Sequence, residues 1–400
     1  MSASEPIGLT DDWDPMTPEN YVDPVGVNGT LRRDCPVAHS SQFGGFWALF
    51  KRADIVAATK QTDTFVSSPA ITVPPFSVAD APWIPLQSDP PQHRQYRRII
   101  NPFFFASRLE GFEPELRRLT NDFIDEFIEQ GEADLVAELT LRLPATAISL
   151  LLGLPLESWK MLHDWTVAII GAGNRGDFET VGRTYGEMFA FADQLMEARR
   201  QKPGEDVMTA LVTGEVEGRP LTQAEIRGAF ALLIIAGHET TSNAISNALY
   251  LFATDHSTAE RLRTGGIDDT ALEEIVRYCN PVQGMGRTTT RDVEVGGRCI
   301  PGGSLVALMF GSGSRDADEF DQPDEFDPER SPNPHLTFGS GQHRCLGEQL
   351  ARMEIRIVLE TVLERLHPIE LAGDTKPALW PSIGYHGLPV RFAPGTRRSE

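Results

Sequence analysis

The sequence predicts a mainly α chain with a minor β component (α+β), and three observations carry that expectation. Apolar residues recur at three- and four-residue spacing through most of 91–280. Short β-like runs and loops fill 281–334. Helical spacing then returns at 345–366, before a strand-like stretch over 381–392, PSIGYHGLPVRF, that reads as a hairpin.

The first helical signals are LRRLTNDFIDEFIEQ, LRLPATAISLLLGL and YGEMFAFADQLMEARR, each with one apolar face. The longest starts at Thr222, where Thr222 and Glu225 have the spacing of a capping box, and the AFALLIIAG and NAISNALYLFA that follow are apolar almost all round. Such a helix belongs inside a protein rather than on its surface. Its middle nevertheless holds Gly237-His238-Glu239-Thr240-Thr241-Ser242, polar groups that cost free energy when buried unless something satisfies or uses them. No internal repeat or Gly/Ser linker divides the chain, so 1–400 is expected to be one domain, with 1–20 an irregular arm. That acidic, Pro-rich arm has neither the charged start nor the apolar core of a signal peptide, nor a spanning helix.

The net charge of −21 argues against nucleic acid or an anionic membrane as a partner. Four cysteines, at 35, 279, 299 and 345, include no CxxC pair, so neither a disulfide framework nor a zinc-finger spacing is present, and a reducing cytoplasm is the expected compartment.

The strongest chemical signal is Phe338-Gly339-Ser-Gly341-Gln-His343-Arg-Cys345-Leu-Gly347, running into an amphipathic helix. Two glycines let the backbone bend tightly under a flat ligand, and a cysteine at a helix start has its thiolate favoured by free N–H groups. A free cysteine taken alone is more often structural. A phosphate loop is a poorer reading, because GSGQHR lacks the third glycine of G-x-G-x-x-G and no βαβ unit surrounds it.

This decapeptide resembles the haem-binding signature of the cytochrome P-450 family at all six of its fixed positions. The resemblance implies the helix-rich fold of that family around a buried haem b, with Cys345 as axial iron ligand, Phe338 shielding the sulfur, His343 donating to a propionate, and Gly339 and Gly347 shaping the loop. A thiolate opposite oxygen favours O–O cleavage. Ala236, Gly237, Glu239, Thr240 and Thr241 resemble the family's A-G-x-[DE]-T-T, which implies that Glu239 and Thr240 are the proton-delivery pair, that the small Gly237 makes room for dioxygen, and that Ala236 and Gly237 lie against the cofactor. Without the cysteine loop, a polar kink with Thr240 bonded back to a carbonyl one turn earlier would be the better reading. A zinc protease is excluded, because H-E-x-x-H would need a second His where Ser242 stands.

Glu274 and Arg277, three apart, are in isolation a weak surface pair. With Asn280-Pro281-Val282 after them they resemble the family's E-x-x-R segment, which implies a structural brace for the cysteine loop. Ser314-Arg-Asp316 and Phe326-Asp-Pro-Glu-Arg330 resemble the loop ahead of that cysteine. Asp89-Pro-Pro-Gln-His93-Arg-Gln-Tyr-Arg97 resembles a segment whose His and Arg bind propionates, and Arg287 matches a further propionate position. Arg94, Arg98, Arg108, Arg344 and Arg352 are candidates for a basic patch on the cysteine side.

The resemblance covers most of the chain from about residue 50 onward and implies a monooxygenase that takes electrons from a separate iron–sulfur ferredoxin and its NAD(P)H-dependent reductase, acting as a monomer. A peroxide-driven peroxygenase and a non-enzymatic haem sensor or carrier are the alternatives, and both leave Glu239 and Thr240 without a task. By position, Trp83, Ile84 and Leu86, Leu232, Ile235 and Ala236, Gln283 to Met285, and Ser382-Ile383 should form the substrate pocket. Their apolar character favours a compact hydrophobic molecule such as a terpenoid or small aromatic.

Overall fold

The computed structural model describes residues 12–75 and 81–398. Eight helices carry the architecture: α1 (Gln92–Ile100), α2 (Glu113–Asp125), α3 (Arg142–Leu151), α4 (Trp159–Asn174), α5 (Phe178–Gln201), α6 (Gln223–Thr254), α7 (Asp269–Tyr278) and α8 (Glu348–Arg365). α6 is their axis. Its capping box forms as expected: Thr222 Oγ1 accepts from the Glu225 N–H at 3.2 Å, and the Glu225 carboxylate accepts from the Thr222 N–H at 2.6 Å. From there 32 residues run unbroken, roughly 48 Å at the standard rise. α3, α4, α5 and α8 pack around it. The approach of α3 depends on Gly237, where a Cβ would lie 2.3 Å from the Ile148 side chain. No helix among the described residues is long and apolar enough to cross a membrane.

The β component is small. Strands β1 (Val37–Ser40), β2 (Phe46–Leu49), β3 (Phe65–Val66), β5 (Met285–Thr289) and β6 (Leu305–Leu308) form one sheet in the order β1-β2-β6-β5-β3. All its pairings are antiparallel except β2 with β6. Strand β4 (Glu132–Asp134) joins β7 (Glu370–Leu371) and β10 (Pro389–Arg391), whereas β8 (Lys376–Pro377) pairs with β9 (Tyr385–Gly387).

Two expectations are corrected here. The stretch 381–392 is not a hairpin: β9 and β10 pair with different partners, because Leu388 alone separates them and one residue cannot reverse the chain. Leu388 instead donates its N–H to Asp134 Oδ1 at 2.9 Å, continuing the chain onto the other sheet. Nor is the N-terminal arm irregular throughout. Residues 1–11 lie outside the described part, but Pro18–Val22 is a helical turn capped by Thr17, and Trp13 packs edge-on against Phe46, Phe50 and Trp380, where burial of a large aromatic offsets the cost of ordering the arm.

Candidate active site

The helical body and the five-stranded sheet meet around one cavity of about 1550 Å³, its open mouth included. Among the described residues its wall contains Cys345, Phe338, Gly339, His343 and Gly347 on one side and Ala236, Gly237, Thr240 and Thr241 of α6 on the other. The two motifs, a hundred residues apart in sequence, therefore face the same space.

On the cysteine side, Gly339 and Gly341 take left-handed φ values of 70° and 71°, and at Gly341 a Cβ would sit 2.8 Å from the Thr59 carbonyl oxygen. Both features require glycine. The loop is closed by Cys345 N–H donating to the Phe338 carbonyl at 2.8 Å. Cys345 stands two residues ahead of the Gly347 N-cap rather than in the first turn of α8. Protein surrounds the thiol, and its exposed surface faces the cavity. Burial pushes this thiol up, opposed by the Gly347 N–H and by the charges of Arg97 and Arg352.

Beside it stand four nitrogen-rich side chains, His93 and Arg97 from α1, Arg287 from β5, and His343. All four line the cavity. The His93 and His343 rings lie 4.2 Å apart, and Ser67 Oγ is 2.9 Å from His343 Nε2. Burial and the charge of Arg97 pull His93 down to about 4, and burial with Arg287, His93 and Arg97 pulls His343 down to about 2. Both imidazoles are therefore neutral near pH 7. Burial also lowers Arg287 to about 10, which still leaves it charged. The cluster is short of acceptors: both His93 ring nitrogens are buried without a hydrogen-bond partner, Arg97 donates to the Arg344 carbonyl at 3.1 Å, and Arg287 to the Gly286 carbonyl at 2.6 Å.

On the α6 side, Thr240 Oγ1 donates to the Ala236 carbonyl at 2.7 Å, so the bond back along the helix that was one reading of this threonine is present. Thr240 nevertheless lines the cavity, and a hydroxyl that donates one bond keeps capacity to accept. Glu239 accepts from Ser382 Oγ at 3.2 Å, and the half-exposed His386 brings Nε2 to 3.9 Å from the same oxygen. His238 turns the other way, its ring edge-on to His163 and Nε2 3.0 Å from the Leu141 carbonyl; burial, with His163, takes it down to about 3.

The expected substrate residues divide. Leu86, Leu232, Ala236 and Met285 belong to the wall; Trp83, Ile84, Ile235, Gln283, Ser382 and Ile383 do not. Gln283 is buried and accepts from Asn28 at 3.3 Å, Ser382 is taken by Glu239, and the Trp83 N–H on the backbone donates to Gln87 at 2.7 Å. Pro85, Ile148, Leu233, Ala244 and Val282 line the cavity instead.

The brace is stronger than its spacing suggested. Glu274 and Arg277 are fully buried and joined by two bonds of 2.7 Å. Glu274 also accepts from the Asp327 N–H, Arg330 and Asn333, and Arg277 donates to the carbonyls of Ser314, Pro323 and Glu325. The pair thus pins the long loop that leads to Cys345.

Comparison with known proteins decides what this arrangement is. A profile of the cytochrome P450 family matches residues 176–265 and 269–380. The chain belongs to the cytochrome P450 family. It is 33% identical over 372 residues to the linalool 8-monooxygenase of Pseudomonas putida, covering 88% of this chain and 91% of that one. It is 34% identical over 392 residues to a methyl-branched lipid omega-hydroxylase of Mycobacterium tuberculosis, covering 92% and 91%. A cytochrome P450 of Mycobacterium marinum solved in complex with pseudoionone superposes with a TM-score of 0.84 at 29% identity, over 93% of this chain and 95% of that one.

As a P450, the protein is a haem-dependent monooxygenase, and its residues fit that group. Four donor side chains beside a thiol, two of them buried and one, His93, with both ring nitrogens unpartnered, suit the two carboxylates and the iron of haem. Besides the apolar lining residues, a titratable residue of this P450 cavity was missed by the sequence reading. Glu354 of α8 is fully buried on its wall, its Oε2 without a partner, and burial raises it well above the carboxylate range. Its place in the buried stripe Leu350, Glu354, Ile357, Val358, Thr361 was the available signal.

Proposed function

We propose that this P450 binds haem b through Cys345, with His93, Arg97, Arg287 and His343 as donors to the propionates, and hydroxylates a compact hydrophobic substrate. The observation that carries the reading is the convergence on one cavity of a thiol, four donors and Thr240, with Glu239 next to it in sequence and bonded to Ser382 outside the wall. Haem, when bound, supplies the iron at which dioxygen is activated; one oxygen atom enters the substrate and the other leaves as water, consuming two electrons and two protons.

The chain's own residues supply the rest. The Gly347 N–H and the nearby guanidiniums of Arg97 and Arg352 favour the anionic sulfur, while the bond from Cys345 N–H to the Phe338 carbonyl fixes the loop. Thr240, its proton held by the Ala236 carbonyl, offers oxygen lone pairs that hold a proton donor in place, and Glu239 next to it delivers protons from the Ser382 and His386 side. Pro85, Leu86, Leu232, Leu233, Ala244, Val282 and Met285 exclude water and receive the substrate. The apolar character of these seven side chains suits a terpenoid or small aromatic; the relative named for linalool supports a terpenoid, and the one named for methyl-branched lipid supports a hydrophobic substrate more broadly.

Electrons come, in this reading, from an iron–sulfur ferredoxin and its reductase, docked at exposed Arg94, Arg98, Arg108 and Arg344. The chain acts as one domain and a monomer, and its four unpaired cysteines support a reducing cytoplasm.

The test follows the Soret band of the ferric enzyme during titration with terpenoids, alkylaromatics, fatty acids and macrolides. A saturable shift to high spin with terpenoids or alkylaromatics, and not with the others, is the expected result. A shift confined to fatty acids or macrolides overturns the substrate class, and the lack of any haem band after reconstitution overturns the haem assignment.

A further inference from the structure

The structure takes Arg352 away from the exposed patch. Its guanidinium lies 4.4 Å over the centre of the Phe338 ring. Glu273 of α7 grips it from behind with two bonds, 2.5 Å from Nε and 3.0 Å from the second nitrogen, and Glu348 accepts a third at 2.9 Å. Glu273 also bonds His335 at 2.8 Å, whose ring stands 6.0 Å from that of Phe338. Burial disfavours the Glu273 carboxylate, but His335 and Arg352 outweigh it and hold the group at about 2. α7 thus presents two adjacent acids with separate clients: Glu274 pins the loop ahead of the cysteine, and Glu273 reaches the ring inside the cysteine loop.

We propose that Arg352, clamped by Glu273, is a positioning residue that presses the Phe338 ring into place beside Cys345 and so protects thiolate ligation. The proposal rests on the reading of Cys345 as the iron ligand. The physical argument is one of rigidity. Phe338 is only half-buried and faces the cavity on one side, so its ring needs a fixed partner on the other. A lone cation over a ring is worth little when mobile, but a guanidinium fixed by a two-bond carboxylate fork cannot swing away. Lysine keeps the charge without the fork, which makes it the discriminating substitution.

The experiment uses the purified holoenzyme, reduced with dithionite under carbon monoxide, and follows conversion of the long-wavelength thiolate band into the short-wavelength band of the protonated or displaced ligand. Haem content and thermal midpoint are recorded for each variant. Arg352→Met should convert roughly tenfold faster than wild type, Glu273→Gln about threefold faster, and Arg352→Lys between the two, as expected for loss of a desolvated cation–π contact and its clamp. If Arg352→Met fails to fold, Arg352→Lys and Glu273→Gln carry the comparison. Wild-type conversion in the Arg352 and Glu273 variants, with faster conversion in Phe338→Leu, overturns the role of Arg352 and leaves that of the ring intact. Wild-type conversion in Phe338→Leu also overturns the proposal. A Cys345→Ser enzyme that keeps the long-wavelength band overturns instead the ligand assignment beneath it.

Discussion

Two glutamates are withdrawn from solvent about equally, and they meet opposite surroundings. Glu274, 0% exposed, receives Arg277, Arg330, Asn333 and the Asp327 N–H. Glu354, 1% exposed, lies on the cavity wall with Oε2 unpartnered, and burial holds it protonated. The contrast separates scaffold from site. A buried charge is tolerable where geometry surrounds it with donors, and otherwise the group gives up its charge. Glu274 and Arg277, well supplied with partners, pin loops, whereas His93 and Glu354, each with a buried polar atom left unpartnered, face the cavity.

The comparison breaks most visibly at the saturated end. Replacing Arg277 by Met strands the Glu274 charge among its remaining partners and should cost about 3–5 kcal/mol, read as a lower urea midpoint and poor haem retention. A Glu354→Met change, by contrast, should not destabilise.

Next in size is Glu239, an acid beside the cavity-lining Thr240 with few partners of its own. Glu239→Gln should lower product formation about 100-fold while shifting stability by less than about 1 kcal/mol, with reducing equivalents diverted to hydrogen peroxide. Equal losses of stability and activity would place Glu239 with Glu274 as scaffold.

The unsatisfied acid should then show itself through pH. The folded-state pKa of Glu354 is raised, so its contribution to stability is complete below the unfolded carboxylate range and is lost as pH rises toward the folded value. Above pH ~4.3 the unfolded chain releases the proton while the folded one keeps it, so wild type should lose up to about 1.4 kcal/mol per pH unit relative to Glu354→Gln. Urea midpoints of the two proteins at pH 5, 6 and 7 should diverge steadily; parallel curves would mean that Glu354 finds a partner.

The smallest effect belongs to charges in water. Arg98→Glu should weaken binding of a plant-type ferredoxin several-fold at low salt and hardly at all at high salt, with stability unchanged. A loss independent of salt would point to a packed interface.

The legible parts of the fold were those encoded by short stretches of chain. The Thr222 and Glu225 capping box announced α6, and the glycines at 339 and 341 announced the bend ahead of Cys345. The strand partners of 385–391 were hidden, because β9 and β10 find theirs far along the chain at β8 and at β4 with β7. Among the expected pocket residues, Leu86 and Leu232 line the cavity while Trp83, Ile84, Ile235, Gln283 and Ile383 do not, since neighbours in sequence face different directions once their loop or helix is docked. Arg352 looked like one more surface arginine, and only the packing of α7 against α8 shows it bound to Glu273 over Phe338.

The sequence by itself determined the chemistry available: a thiol in a glycine-bent loop, an acid beside a threonine in an apolar helix, and histidines and arginines at set intervals. These are local because turn geometry, capping and helical periodicity act over a few residues. Tertiary structure alone decided which of the charged residues would be saturated and which would face the cavity, because desolvation and hydrogen-bond pairing depend on neighbours brought in from distant segments, as Glu274 and Glu354 show.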